Sequence, residues 1–325
     1  FLKGRILINI DSEDEGVFTI GCAGGRDTHI HLPLSYEKLP SEFISRRIKI
    51  SNLAGGHSGI DINKQKANAN LLLGRFLLAV SQRIKLISMN GGTAHNALAR
   101  EAYAEIAYNI SDETMIQEKI TEFQKIFKSN YATADPNIKI DLEDNVKLPK
   151  SFIKDELKNK IILLLHVVPH GVQSMNTTIE GLVESSSNLA RISSDNSEFS
   201  ILSSQRSSSM SLLDNITDKI ESAGRLANAK VYSGNGYPSW DPNFDSPLLS
   251  RCKNAYKTTF QKDAVVEIIH AGLECGIIGS KYDGMDMISI GPTIKYPHSP
   301  DEKLKIDSLD KIQIFLEALF RSFSK

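Results

Sequence analysis

Apolar and polar positions follow two periods along the chain, and each period predicts its own kind of element. The near-continuous apolar run within residues 3–11 is typical of a strand buried on both faces. Ile48 and Ile50 alternate with polar residues and predict a half-exposed strand. Apolar spacings of three and four predict amphipathic helices. The predicted helices span residues 70–82, 112–128, 151–168 and 212–229 and end with a C-terminal helix carrying Phe315 and Leu319; further strands are predicted at 17–20, 85–90, 102–108, 138–142, 264–269 and 287–290.

Residues 185–211 are rich in serine, and their pattern supports two interpretations. Their composition favours a flexible linker. Phe199, Ile201 and Leu202 interrupt the serines, however, and favour a partly exposed strand over residues 200–206.

The order of predicted elements divides the chain into an outer and an inner part. Residues 1–37 and 233–325 have an α/β character, whereas residues 38–232 read as an α+β insertion. The outer segments together are small for a complete doubly wound domain that carries an active site. The predicted fold is therefore an α/β domain, present in part, interrupted by an α+β domain.

Charge and cysteine content narrow the classes of function. Lys and Arg number 38 and Asp and Glu 39, so no basic excess indicates a nucleic-acid partner. The apolar runs are far shorter than the ~20 residues of a membrane span, which argues against a membrane protein. The 3 cysteines form no CxxC pair and fit a reducing compartment, so a cytoplasmic location is expected.

Several acidic and histidine side chains are candidates for chemistry. The cluster at residues 11–15 follows the first strand, where it could ligate a metal or form a solvated turn. His29 and His31 share one face of a predicted strand, which allows two interpretations: a pair of metal ligands, or histidines on the surface. His57 lies between glycines, where it approaches a ligand or stays a turn residue. His298 lies in a proline-flanked loop, a setting that positions ligands well.

Serine chemistry is disfavoured by the residues around Ser58. The sequence there resembles a serine elbow, but Ile60 stands where the second glycine belongs. The HExxH, Walker and GxGxxG motifs are absent from the sequence.

Six motifs occur in one order and together carry a family resemblance. They are IDSEDEG (10–16), AGGHSG (54–59), NGGT (90–93) followed by Asn96, YPSW (237–240), HAGLECG (270–276) and SIGPTIKYPHSPDEKLKI (289–306). The chain resembles the aminoacyl-histidine dipeptidases, also called peptidase D or Xaa-His dipeptidases. These are two-zinc metallopeptidases related to carnosinases and bacterial dipeptidases.

The resemblance implies a zinc-peptidase catalytic domain interrupted by a lid that also forms a homodimer. It makes Asp11 a ligand of one zinc and His298 a ligand of the other, with Co²⁺ or Mn²⁺ as substitute ions. It implies a dipeptide substrate, Xaa-His dipeptides above all. Two zinc ions activate a water, and a glutamate takes its proton.

The resemblance also implies four substrate contacts. His57 is expected to reach the active site of the partner subunit and to stabilise the oxyanion there. Arg206 receives the C-terminal carboxylate of the substrate, a role that suits a guanidinium fork. Asn96 and the backbone of Gly272 are the other contacts. The serine-rich stretch then belongs to the lid around Arg206.

The family's HxD motif, bridging aspartate and Glu-Glu pair lie upstream of the IDSEDEG strand. This chain starts just before that strand, and Glu13 and Glu15 already belong to a matched motif. We therefore expect a C-terminal part of a dipeptidase that lacks the N-terminal part of the catalytic domain. A related deacylase or aminoacylase, and a non-catalytic dimerising fragment, are the alternatives.

Overall fold

The computed structural model describes residues 3–144, 149–295 and 301–323. The strands are β1 (Ile6–Asn9), β2 (Val17–Cys22), β3 (Gly24–Pro33), β4 (Tyr36–Lys38), β5 (Phe43–Ser51), β6 (Lys85–Gly91), β7 (Ala102–Asn109), β8 (Lys139–Asp144), β9 (Ser151–Ile153), β10 (Gly171–Met175), β11 (Val183–Ser194), β12 (Glu198–Ser207), β13 (Lys230–Ser233), β14 (Val265–Ile269), β15 (Asp286–Ser289), β16 (Ile294–Lys295) and β17 (Lys303–Leu304). The helices are α1 (Ala69–Val80), α2 (Glu113–Asn130), α3 (Asp155–Val167), α4 (Met210–Leu226), α5 (Pro247–Phe260), α6 (Glu274–Gly279) and α7 (Ile306–Phe323).

The first sheet has four strands in the order β1-β15-β2-β14, with β1 parallel to β15 and β14 parallel to β2. Its core joins Phe18 and Ile288 of the sheet to Phe315 of α7. The prediction that β1 is buried on both faces is wrong, because β1 is an edge strand and Ile6 is 47% exposed. The buried strand predicted at 264–269 is likewise an edge strand, β14, with Val265 exposed.

The second sheet has nine strands and consists of two halves with the same topology. The first half runs β5-α1-β6-β7-α2-β8 along the chain and has the strand order β8-β5-β7-β6. The second half uses β3, α3, β11, β12, α4 and β13 and has the strand order β13-β3-β12-β11, with β10 added beside β11. In both halves the fourth, first, third and second strands therefore lie side by side.

The two halves join edge to edge through their second strands. β6 and β11 pair in antiparallel fashion, with Gly91 opposite Ile192 and Asn90 opposite Ser193. Across the same junction α1 packs on α3, where Gly74 leaves room for Leu165. The first half is thus inserted in sequence into the second, and the two share one core.

The helices α1–α4 pack on one face of this sheet. Ile48 and Ile50 of β5 and Phe199 and Ile201 of β12 lie in the same apolar core as these helices. Since successive side chains of a strand alternate between faces, Arg206 lies on the opposite face from Ile201. The face away from the helices is therefore the one that can carry a site.

The serine-rich stretch forms two central strands of this sheet, β11 and β12. The linker interpretation is wrong, and the strand predicted at residues 200–206 falls within β12. Its residues are more buried than predicted, because serine hydroxyls bond one another between the strands. Examples are Ser187 to Ser203, at 3.1 Å, and Ser193 to Ser200, at 2.7 Å.

Other boundaries shift by a few residues. The helix predicted at 151–168 is a short strand, β9, followed by α3. β3 belongs to the nine-stranded sheet, so the chain passes from one sheet to the other at Ala23, earlier than the predicted boundary at residue 37. The division of domains at 37/38 and 232/233 stays a prediction. No helix within the described ranges is long and apolar enough to cross a membrane.

Candidate active site

Arg206 lies near the end of β12, where the two sheets meet. It is opposite Ser186 of β11 on one side and Gly25 of β3 on the other. Only 6% of the residue is exposed. The strand pairing therefore places this buried arginine between a serine and a glycine.

The bonding of Arg206 is incomplete. One terminal nitrogen, NH1, donates to the hydroxyl of Tyr237 at 2.8 Å. The Nε atom is buried without a hydrogen-bond partner, and no carboxylate of the described residues pairs with Arg206. A buried charge without a counter-ion costs several kcal/mol. The site is therefore suited to an incoming anion.

Tyr237 connects Arg206 to the loop that follows β14. A Cβ atom on Gly272 would lie 2.6 Å from Cε2 of the Tyr237 ring. On the other side of the same ring, a Cβ on Gly25 would lie 2.5 Å from Cζ. Glycine at both positions is what allows the tyrosine to lie beside the guanidinium. Gly272, predicted as a backbone contact of the substrate, is thus brought close to Arg206.

His270 ties the same loop to the nine-stranded sheet. Its Nε2 atom lies 2.7 Å from the hydroxyl of Ser186, the residue opposite Arg206. Burial, and then the charge of Arg206, lower the pKa of His270 to about 3. His270 is therefore neutral near pH 7 and acts as a hydrogen-bonding bridge.

His57 lies in a tight turn beside this loop. Its Nδ1 atom accepts hydrogen bonds from the backbone N–H groups of Gly59 and Ile60, both at 3.2 Å. Because Nδ1 is an acceptor, the ring proton of the neutral imidazole is on Nε2. A Cβ on Gly59 would overlap the carbonyl oxygen of His270. The His57 turn therefore packs against the His270 loop of its own chain.

The segment containing Asn96 is held on both sides of the junction between the halves. The backbone carbonyl oxygen of Asn96 accepts a hydrogen bond from the N–H of Ser58 at 2.8 Å. Asn188 of β11 donates through Nδ2 to the carbonyls of His95, at 3.2 Å, and Ala97, at 2.8 Å. Asn96 is thereby fixed next to the His57 turn and to the strand that faces Arg206.

The structure describes one of the two predicted metal ligands, and both roles stay predictions. Asp11 follows β1, which runs parallel to β15, so Asp11 lies at the sheet edge where β15 ends. His298 lies outside the described residues. Within the described part of the chain, no group of three or more His, Cys, Asp or Glu side chains could hold a metal ion. The described residues alone therefore do not fit a complete metal site.

Glu15, the other well-placed carboxylate of the acidic cluster, has a structural role. It accepts from the hydroxyl of Tyr256 at 2.7 Å and from Nζ of Lys311 at 2.8 Å. Burial raises the pKa of Glu15, but these two hydrogen bonds and the lysine charge together lower it by more than burial raises it. The net pKa therefore lies below the usual range. It locks the turn to α5 and α7 and is not placed as a base.

His29 and His31 lie on β3 as predicted, with their rings stacked at 6.1 Å. Nδ1 of His31 lies 2.8 Å from a carboxylate oxygen of Glu198. They belong to no metal-holding group among the described residues. Ser58 is buried and its hydroxyl lacks a hydrogen-bond partner there, so no base activates it as a nucleophile.

Sequence reasoning missed three residues of the candidate site: Tyr237 and Ser186 beside Arg206, and Asn188, which holds the Asn96 segment. The YPSW motif contains Tyr237 and was the available signal for it. Asn188 and Ser186 are in the serine-rich stretch, whose composition hides them. Their positions follow from strand register, which the sequence does not display.

Comparison with known proteins gives three findings. Residues 48–135 match the M20 peptidase dimerisation domain. The chain is 37% identical over 323 residues to the cytosol non-specific dipeptidase of Escherichia coli (strain K12), an alignment over 99% of this chain and 66% of that protein. The crystal structure of the aminoacylhistidine dipeptidase from Vibrio alginolyticus matches with a TM-score of 0.89 and 33% identity, again over 99% and 66% of the two chains. The chain thus spans about two thirds of the length of these relatives.

Proposed function

Because the chain belongs to the M20 family of peptidases, we propose that it serves the hydrolysis of dipeptides with a free C-terminal carboxylate, Xaa-His dipeptides among them. The observation that carries the proposal is Arg206, a buried cation with an unpartnered Nε and no acidic partner among the described residues. A terminal carboxylate supplies the missing charge and accepts from the guanidinium fork. Two dipeptidases among the relatives support this substrate class.

His57 supplies the donor for the reacting carbonyl in this proposal. Its Nε2–H is the ring donor, since Nδ1 is occupied by the N–H groups of Gly59 and Ile60. A fixed donor aimed at a developing oxyanion stabilises the transition state more than the ground state. The backbone at Gly272 and the side chain of Asn96 complete the proposed substrate contacts.

We propose that His57 serves the site of its own chain. The contact of Gly59 with the His270 carbonyl places the turn beside the loop that carries Gly272. This differs from the expectation that His57 reaches the partner subunit. A homodimer through the lid stays part of the proposal, supported by the dimerisation domain at residues 48–135.

A divalent metal is expected for a peptidase of this family, and we propose zinc, with Co²⁺ or Mn²⁺ as substitutes. Asp11 would hold it, together with His298, and the metal would supply an activated water. The described residues do not complete the site, so we assign no step to it. A cytoplasmic location is also a proposal, supported by the name of the Escherichia coli relative.

Binding and hydrolysis by the full chain, with zinc added, test the proposed function. The ligands are alanyl-histidine and its C-terminal amide, and the variant is Arg206→Met. We expect the free acid to bind at least tenfold more tightly than the amide, with the difference lost in the variant. Equal affinity for the acid and the amide, and equal rates of their hydrolysis, would contradict the proposal. Light scattering measures the proposed homodimer separately.

A further inference from the structure

Tyr237 has a bonding capacity that the structure leaves unused. Its hydroxyl oxygen accepts from NH1 of Arg206 at 2.8 Å. The hydroxyl proton has no acceptor among the described residues. Burial raises the pKa of Tyr237, and the charge of Arg206 offsets this only in part, so the net pKa lies above its ordinary value. The phenol therefore keeps a proton that it can donate near pH 7.

The backbone and the packing fix the direction of this hydroxyl. Tyr237 and Gly25 exchange two backbone hydrogen bonds, at 2.9 and 3.0 Å. The ring is enclosed between Gly25 and Gly272, at distances that leave no space for a Cβ at either glycine. A ring held in this way loses little conformational entropy when a ligand binds.

We propose that Tyr237 is a second ligand of the substrate's terminal carboxylate, donating its hydroxyl proton to the anion that Arg206 also binds. This inference rests on the proposed function. The hydroxyl accepts from the guanidinium and donates to the carboxylate, so the two groups form one site with a defined orientation. Tyr237 is thereby a specificity residue for free carboxylates, because an amide offers the same position a weaker, uncharged acceptor.

Tyr237→Phe tests the donor while keeping the ring. The affinity for alanyl-histidine and for its amide is measured by calorimetry on the full chain. Trp240, the single tryptophan of the sequence, lies three residues after Tyr237 and gives an independent fluorescence signal. We expect the acid to bind about 10–100-fold more weakly, the range for a lost hydrogen bond to a charged group. Affinity for the amide should fall less, by about 2–10-fold, the range for a lost neutral hydrogen bond. Tyr232→Phe, at an exposed tyrosine on β13, is the matched control.

Gly25→Ala provides a second route to the same hydroxyl. The new Cβ would overlap the Tyr237 hydroxyl, so the ring must leave its present position beside Arg206. We expect the variant to lose affinity for the acid as Tyr237→Phe does. The double variant should lose no more than either single one, because both remove the same donor. Additive losses would contradict the inference.

The variants separate this inference from the proposed function. If Arg206→Met removes the preference for the acid and Tyr237→Phe leaves it intact, the carboxylate site stands and the role of Tyr237 is refuted. If neither variant alters that preference, or the chain does not bind the acid, both fail. A circular-dichroism melt confirms that each variant is folded.

Discussion

Replacing Arg206 by methionine is expected to stabilise the ligand-free chain while abolishing recognition of the carboxylate. The side chain is buried, lacks an acidic partner among the described residues and leaves Nε unpaired. Replacing a buried ion pair by apolar side chains of similar volume is often stabilising, by ~1–4 kcal/mol, and Arg206 lacks even the attraction of a partner that offsets desolvation in such a pair. Loss of the hydrogen bond to Tyr237 opposes this by about 1–2 kcal/mol. We expect a net gain in the free energy of unfolding of about 1–2 kcal/mol.

The assay is urea denaturation with and without alanyl-histidine. At a ligand concentration of ~100 Kd, the unmutated chain should gain about 2.7 kcal/mol, whereas Arg206→Met should gain nothing. Arg26→Met is the matched control, since Arg26 also has an unpartnered Nε but pairs through NH1 with Asp214 at 2.8 Å. That carboxylate is mostly exposed, so we expect a change within about 1 kcal/mol and an unaltered response to the ligand.

Two results would refute the reasoning about Arg206. A loss of more than about 2 kcal/mol in the ligand-free variant would show that the guanidinium is structurally compensated. Full stabilisation of Arg206→Met by the dipeptide would show that the carboxylate binds elsewhere. A ligand response that the Arg26 control also loses would indicate a general disturbance of the sheet.

Three further predictions concern the framework of the site. Gly92→Ala should lower the free energy of unfolding by at least about 3 kcal/mol, because its Cβ would overlap the carbonyl oxygen of Ala190. Gly284→Ala has a similar positive φ but open space around the new Cβ, so it should cost ~1 kcal/mol, and urea denaturation compares the two variants. Burial chiefly lowers the pKa of His270 from 6.5 to about 3, so the unfolded state binds the proton first as the pH falls. The free energy of unfolding should therefore fall with decreasing pH between these values, by up to ~1.4 kcal/mol per pH unit. A His270→Gln variant that kept this slope would contradict the prediction. Asn188→Asp replaces the donor by an acceptor that faces two carbonyl oxygens, so it should lower the free energy of unfolding by about 2–4 kcal/mol and speed proteolysis at residues 92–99. An unchanged midpoint of urea denaturation would show that Asn188 does not hold this segment.

Local patterns predicted the elements whose burial is one-sided. Ile48 and Ile50 alternate with charged residues in β5, and the structure confirms a strand with one face in the core. Short apolar strands were harder, because an apolar run looks alike at the centre and at the edge of a sheet. Ile6 was expected inside and is exposed, and among the described strands β1 pairs with β15 alone.

The serine-rich segment shows the limit of composition as a signal. Serine is frequent in linkers, but in β11 and β12 the hydroxyls of facing strands satisfy one another, as at Ser187 and Ser203. A buried polar strand is stable when its groups are paired. The family resemblance supplied a role for Arg206, but its neighbours Ser186 and Tyr237 follow from register and loop packing. His298 lies outside the described residues, so its role stays a prediction.

The duplicated topology explains how distant motifs reach one place. His57 comes from the half that matches a dimerisation domain, and Arg206 from the half with the same strand order. The pairing of β6 with β11 joins these halves inside one chain. The hydrogen bonds from Asn188 to the backbone on either side of Asn96 cross this junction and hold the two halves together near the site. This edge-to-edge pairing joins the half that carries His57 to the half that carries Arg206 within the same molecule.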